Sequence, residues 1–173
     1  DGQSAQIKTD MMSRSFDILR GTKQGDPLSS LLFNSLLEHI MRKVKLNWVK
    51  KQFGIQTGTS DDSRLTNLRF ADDVLLVAKS ECQITNMLKD MNDVAQDYGL
   101  QMHPDKTKVL TNATKKSGRG RSSKVSIGSM DIEILPLNGT VKYLGRQVCF
   151  HEPQDIEIQH RIKAGWAKFM QHK

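Results

Sequence analysis

The chain has 173 residues, with 26 Lys or Arg against 19 Asp or Glu, a formal charge of +7 and a pI near 9.5. At 37% apolar and 26% charged it has the composition of a folded domain, not of a disordered chain. A membrane-spanning or disulfide-framed protein is excluded too: the longest apolar run, Val74-Leu75-Leu76-Val77-Ala78, falls far short of a bilayer, and Cys82 and Cys149 are the only cysteines.

Residues 1–20 mix short polar and apolar stretches and end in Ser15-Phe16-Asp17-Ile18-Leu19, which predicts a hairpin of two strands. Residues 21–26 form a polar turn. Asp26-Pro27 then opens a helix, because Asp is a good N-cap and proline suits the first helical position. Its apolar stripe is expected on Leu28, Leu31, Leu32, Leu36, Ile40 and Val44. Further on, Leu65-Thr66-Asn67-Leu68-Arg69-Phe70 and Val74-Leu75-Leu76-Val77 predict two buried strands, with Ala71-Asp72-Asp73 at the turn between them.

Ser80 starts a second helix, with Gln83 as its capping-box partner and Gly99 as its stop. Ile84, Met87, Leu88, Met91, Val94, Ala95 and Tyr98 line its apolar face. Residues 100–103 read as a strand, followed by a turn at Pro104-Asp105. More strands are expected at Lys108-Val109-Leu110, Val125-Ser126-Ile127, Ile132-Glu133-Ile134-Leu135 and Val141-Lys142-Tyr143-Leu144. The Lys/Arg/Gly/Ser run at 115–124 is a loop that is either solvated or tracks a nucleic-acid backbone. Asp155 begins a last helix with Ile158, Ile162, Trp166 and Phe169 on one face. The order gives an α+β fold, an antiparallel sheet backed by helices.

Two stretches carry chemistry. Asp72 and Asp73 are adjacent carboxylates at a hairpin tip; they repel one another unless cations bind, and hard divalent cations take such oxygens together with substrate phosphates. A solvated Asp-Asp turn is the alternative. The second stretch runs from Arg20-Gly21 through Gln24-Gly25-Asp26-Pro27, where glycines ahead of a helix allow close approach of a ligand and the helix N-terminus attracts phosphate. It has neither the Walker nor the dinucleotide glycine spacing, so a plain strand-to-helix connection also fits.

Taken together the stretches resemble the reverse transcriptases. Gln24-Gly25-Asp26-Pro27-Leu28-Ser29 with Leu31-Leu32-Phe33-Asn34 looks like motif B, and Phe70-Ala71-Asp72-Asp73 like motif C. Residues 99–108, from Gly99 through Pro104-Asp105-Lys106, are similar to motif D, and Val141-Lys142-Tyr143-Leu144-Gly145 to motif E. The wording of the motifs is closest to the non-LTR (LINE-like) retrotransposon branch. This resemblance implies a polymerase palm over residues 1–150 and the start of a helical thumb over 151–173, with the fingers missing. It implies RNA-directed DNA polymerisation by two-metal phosphoryl transfer, with Mg²⁺, an RNA template, a DNA primer and dNTPs, inside a longer polyprotein.

By the same resemblance Asp72, with Asp73 beside it, is the metal-binding and catalytic pair. Gln24 and Gly25 lie against the incoming nucleotide, Lys106 reaches its triphosphate, and Tyr143, Leu144 and Gly145 form the primer grip. Lys108 is a phosphate contact or solvated. Motif D has His103 where the family has Asn, and motif A is lacking: Asp17 sits too close to motif B and reads as a strand residue. The expectation is that this piece, which begins at Asp1 rather than Met, is inactive alone. A non-enzymatic nucleic-acid-binding remnant of a mobile element and the palm of an RNA-dependent RNA polymerase are the competing readings.

The charge distribution agrees with either nucleic-acid reading. Residues 61–103 hold four basic and eight acidic groups, while 104–173 hold thirteen and six. Without a signal peptide or a disulfide framework, the chain is expected to be intracellular, with no membrane partner.

Overall fold

The computed structural model describes residues 3–18, 21, 25–60, 63–113 and 123–171, and these divide into two compact units, 1–38 and 39–173. In the first unit β1 (Gln3–Ala5) pairs antiparallel with β2 (Phe16–Ile18), with Ser4 opposite Asp17. This is the expected hairpin, and Asp17 is a strand residue within it. Helix α1 (Pro27–Lys50) starts where the Asp-Pro pair dictates: the Asp26 carboxylate accepts from the Leu28 N–H at 2.9 Å.

The buried face of α1 agrees with the expected stripe at Ile40 and Val44 but not in its first turns. Leu28, Leu31 and Leu32 are exposed, and the buried side chains are Leu37, Ile40, Met41, Val44 and Trp48. Apolar residues lie all round this helix, so periodicity does not single out a face; the large side chains near its C-terminal end decide it. Trp48 Nε1 donates to Asp90 Oδ2 of α2 at 3.1 Å, and Lys51 reaches the same carboxylate at 3.6 Å.

Helix α2 (Glu81–Asp97) is delimited at both ends by its sequence. Ser80 Oγ accepts from the Gln83 N–H, and the Gln83 side chain accepts in return from the Lys79 N–H, one residue earlier than a standard capping box. At the other end Gly99 has φ +74, and the N–H groups of Gly99 and Leu100 turn back to Gln96 and Ala95, closing a Schellman motif. Leu88 of α2 packs on a three-stranded sheet of β7 (Lys108–Val109), β8 (Lys124–Ile127) and β9 (Met130–Ile134). Val109, Val125, Ile127, Ile132 and Ile134 complete that core, with Leu76, Ile84, Met102 and Met130 against it. The strand order is β7-β9-β8, with β7 parallel to β9 and β8 antiparallel to it.

The α+β class therefore holds, but the single antiparallel sheet does not. The described residues form five small sheets, four of them two-stranded hairpins or ribbons. The strand expected from Leu65 to Phe70 breaks at the buried Thr66, with β4 (Arg64–Leu65) pairing with β3 (Ile55–Gln56) and β5 (Asn67–Phe70) with β6 (Asp73–Leu76). Residues 100–103 are not a strand: the Schellman turn sends the chain straight into the turn at 104–106. β10 (Val141–Tyr143) and β11 (Arg146–Val148) form a final hairpin, and α3 (Pro153–Gln171) begins at Pro153, not Asp155. Proline at the first helical position explains the earlier start.

Gly54 is the glycine that the packing requires. Its φ is +83, and a Cβ there would lie 2.5 Å from the Leu65 carbonyl oxygen. Gly128, in the β8–β9 turn, also has positive φ but has open space around it. In urea unfolding of this chain, Gly54→Ala is expected to lower stability by about 2–4 kcal/mol and Gly128→Ala by only about 1 kcal/mol. Equal losses would show that the close approach at Gly54 carries no weight.

Candidate active site

The hairpin β5–β6 presents the two adjacent carboxylates. Phe70 pairs with Asp73, leaving Ala71 and Asp72 as a two-residue turn. Ala71 takes φ +52, a left-handed conformation that costs a residue with a Cβ about 1–2 kcal/mol. Asp72 therefore sits at the apex and Asp73 is the first residue of β6. Both are exposed, and no hydrogen bond or ion pair from a described residue engages either one. The strands themselves are not buried as expected: Leu68 and Phe70 are exposed and Leu75 and Leu76 half-buried. Neither edge of this hairpin pairs with another described strand.

An exposed, unengaged pair of carboxylates is a suitable donor set for a hard divalent cation. No group of three His, Cys, Asp or Glu side chains converges among the described residues.

Lys106 lies exposed in the turn at 104–106, between α2 and β7, where Thr107 ties back to His103 through both its N–H (3.0 Å) and its hydroxyl (2.9 Å). His103 thus contributes its carbonyl, and its side-chain identity is not what closes the turn. Lys108 is different: its ammonium lies 2.7 Å from Glu133 across the parallel β7–β9 pair, in a surface ion pair. The β10–β11 hairpin carries Tyr143, Leu144 and Gly145, with Leu144 at φ +49 and Gly145 at φ +80. Two left-handed residues in succession make the I′-type turn that matches strand twist. No hydrogen bond or ion pair joins these three turns among the described residues. Gly25, at φ +91, belongs to the unit of residues 1–38; Gln24 and most of the basic run at 115–124 lie outside the described residues.

Sequence reasoning missed Glu157. This α3 residue is 6% exposed. Its Oε2 accepts from the Gln147 N–H of β11 at 2.8 Å, and its Oε1 takes the Arg161 guanidinium at 2.7 Å, with Arg146 at 3.7 Å. The Glu-to-Arg spacing of four was the available signal, but on its own it reads as a surface pair. The Gln147 N–H, assisted by the two guanidinium groups against the effect of burial, holds this carboxyl below the ordinary value of 4.5. A depressed folded-state pKa adds stability above the ordinary value and loses it as the pH falls through the depressed one. The stability advantage of the natural chain over Glu157→Gln, read from urea midpoints, is therefore expected to be full at neutral pH and to shrink below 4.5. An advantage that grew on acidification would contradict this.

Residues 5–148, from the first strand through the last hairpin, match the family described as reverse transcriptase (RNA-dependent DNA polymerase). A transposon-derived protein of Caenorhabditis elegans is 35% identical over 109 residues, 61% of this chain and 36% of that protein. The retrovirus-related Pol polyprotein from the type-1 retrotransposable element R2 of Nasonia vitripennis is 31% identical over 145 residues, covering 80% of this chain and 13% of the polyprotein. The corresponding polyprotein from the type-2 element R2DM of Drosophila melanogaster is 29% identical over 137 residues, 77% and 12% respectively. The chain spans between 12% and 36% of the length of these relatives. The matched stretch contains the motif B glycine turn, the Asp72–Asp73 hairpin, the Lys106 turn and the Leu144–Gly145 hairpin, and the chain belongs to the reverse transcriptase family.

Proposed function

We propose that this segment is the palm, residues 1–150, and the first thumb helix, residues 151–173, of a non-LTR retrotransposon polymerase. It would extend a DNA primer on an RNA template, within a larger polyprotein and inside the cell. The observation that carries the reading is the Asp72–Asp73 tip: two exposed carboxylates on a strained two-residue turn, without partners among the described residues. A structural Asp pair would be expected to cap a backbone group or meet a cation of the chain. Among the described residues this pair does neither.

The family works with a divalent metal, and Mg²⁺ is the ion we assign to it, since it favours carboxylate and phosphate oxygens. Bound at such carboxylates, the ion supplies Lewis-acid stabilisation of the phosphoryl group in transfer. Asp72 would hold it, with Asp73 adding charge and a second oxygen. Lys106, exposed and unpaired among the described residues, would approach the triphosphate and stabilise the departing pyrophosphate or deliver a proton to it. Gly25, whose φ of +91 gives it a backbone that close approach can use, and Gln24 would lie along the incoming nucleotide. Tyr143, Leu144 and Gly145 would hold the primer end in line. The second set of metal ligands would come from another motif, because these residues supply only one.

In the polyprotein that contains this segment, Asp72→Asn is expected to abolish Mg²⁺-dependent primer extension, while template–primer affinity by filter binding stays within about twofold. Loss of binding together with extension would make Asp72 structural and sink the catalytic assignment. Lys106→Ala should lower kcat about 10–100-fold while leaving template–primer affinity within about twofold. The 173-residue chain by itself should show no extension; measurable extension would mean that one carboxylate motif suffices.

A further inference from the structure

The hairpin β10–β11 is only three residue pairs long, and neither edge meets another described strand. Such a ribbon has little stability of its own. What holds it is α3, and the polar link between the two runs through one side chain. Glu157, on the first turns of α3, takes the main-chain N–H of Gln147, two residues beyond the Leu144–Gly145 turn and opposite Lys142. The other carboxylate oxygen is gripped by Arg161 one helical turn on, which fixes the glutamate in the orientation that reaches β11. Because the acceptor meets backbone and not a side chain, it sets where the strand lies whatever residue occupies position 147.

We propose that Glu157 is a positioning residue that fixes the primer-holding hairpin on α3, so that its bond to the Gln147 N–H sets where Tyr143, Leu144 and Gly145 meet the primer end. The inference rests on the palm reading given above. It asks for reach more than charge: an aspartate keeps the charge but is one methylene too short to bond β11, whereas a glutamine loses the charge and keeps an acceptor oxygen at the right distance.

The test uses the polyprotein, with primer–template KM, dNTP KM and kcat measured after titration of active sites. Glu157→Asp should raise the primer–template KM about tenfold, the scale of one lost charge-assisted hydrogen bond, and leave the dNTP KM within about twofold. Glu157→Gln should restore most of that primer affinity. An unchanged primer–template KM in Glu157→Asp would overturn the proposal, as would a loss only in the titrated active fraction, which marks a purely structural role. Both variants retain a polar side chain of similar size, so the contrast survives even if Glu157→Ala does not fold. Asp72→Asn run alongside separates the two ideas: full extension by that variant refutes the palm reading itself, whereas its inactivity with a normal Glu157→Asp refutes only the positioning role.

Discussion

The apolar layer between α2 and the β7-β9-β8 sheet is the support on which the turns of Asp72 and Lys106 depend. Leu88 from the helix meets Val109, Val125, Ile127, Ile132 and Ile134 from the sheet, and burial of such side chains stabilises by about 1.5–3 kcal/mol each. The layer reaches further than its own strands. Leu76, at the base of β6, packs against it and anchors one leg of the hairpin whose other end carries Asp72. The turn that carries Lys106 is tied at both ends by the same layer, through Ile84 and Leu88 of α2 before it and Val109 of β7 after it. Two chemically opposite groups, a carboxylate pair and an ammonium, are thus borne by short exposed turns rooted in one rigid support.

The hairpin of Tyr143 to Gly145 stands apart from that arrangement. None of its side chains belongs to the apolar core around Leu88, and its attachment to α3 is polar, made by a buried carboxylate that two guanidinium groups cover. An apolar layer holds its elements by close packing of many side chains, whereas a carboxylate accepting from a single main-chain N–H fixes placement through one directional bond. The difference suits the tasks assigned to the two regions: metal and triphosphate need a firm base, and a primer end that advances with each addition needs a defined but separate hold.

The chemistry was most readable where one residue decides the backbone. Asp26, Ser80 and Gly99 each mark a helix end at the residue where the structure has it, and the Ala71-Asp72 turn falls where the flanking strands require. The motif residues were recognised instead by their resemblance to a family, which these local rules do not supply. Features that depend on tertiary packing were not readable. The break at Thr66, the exposure of Leu28, Leu31 and Leu32 on α1 and the unpaired edges of β5–β6 reflect which neighbours are present, and periodicity does not encode neighbours. Glu157 was hidden for a related reason: its main partner is a backbone amide ten residues away, which has no residue signature.

Ala71 marks a choice between two kinds of fitness. A glycine would accept φ +52 freely, so this position leaves unclaimed about 1 kcal/mol of stability that a single substitution would supply. The methyl group that stands in the way also restricts the conformations open to the apex, so that the neighbouring carboxylate is aimed by a stiffer stretch of chain. A glycine at this position would gain that stability and give up the stiffness with which Asp72 is pointed.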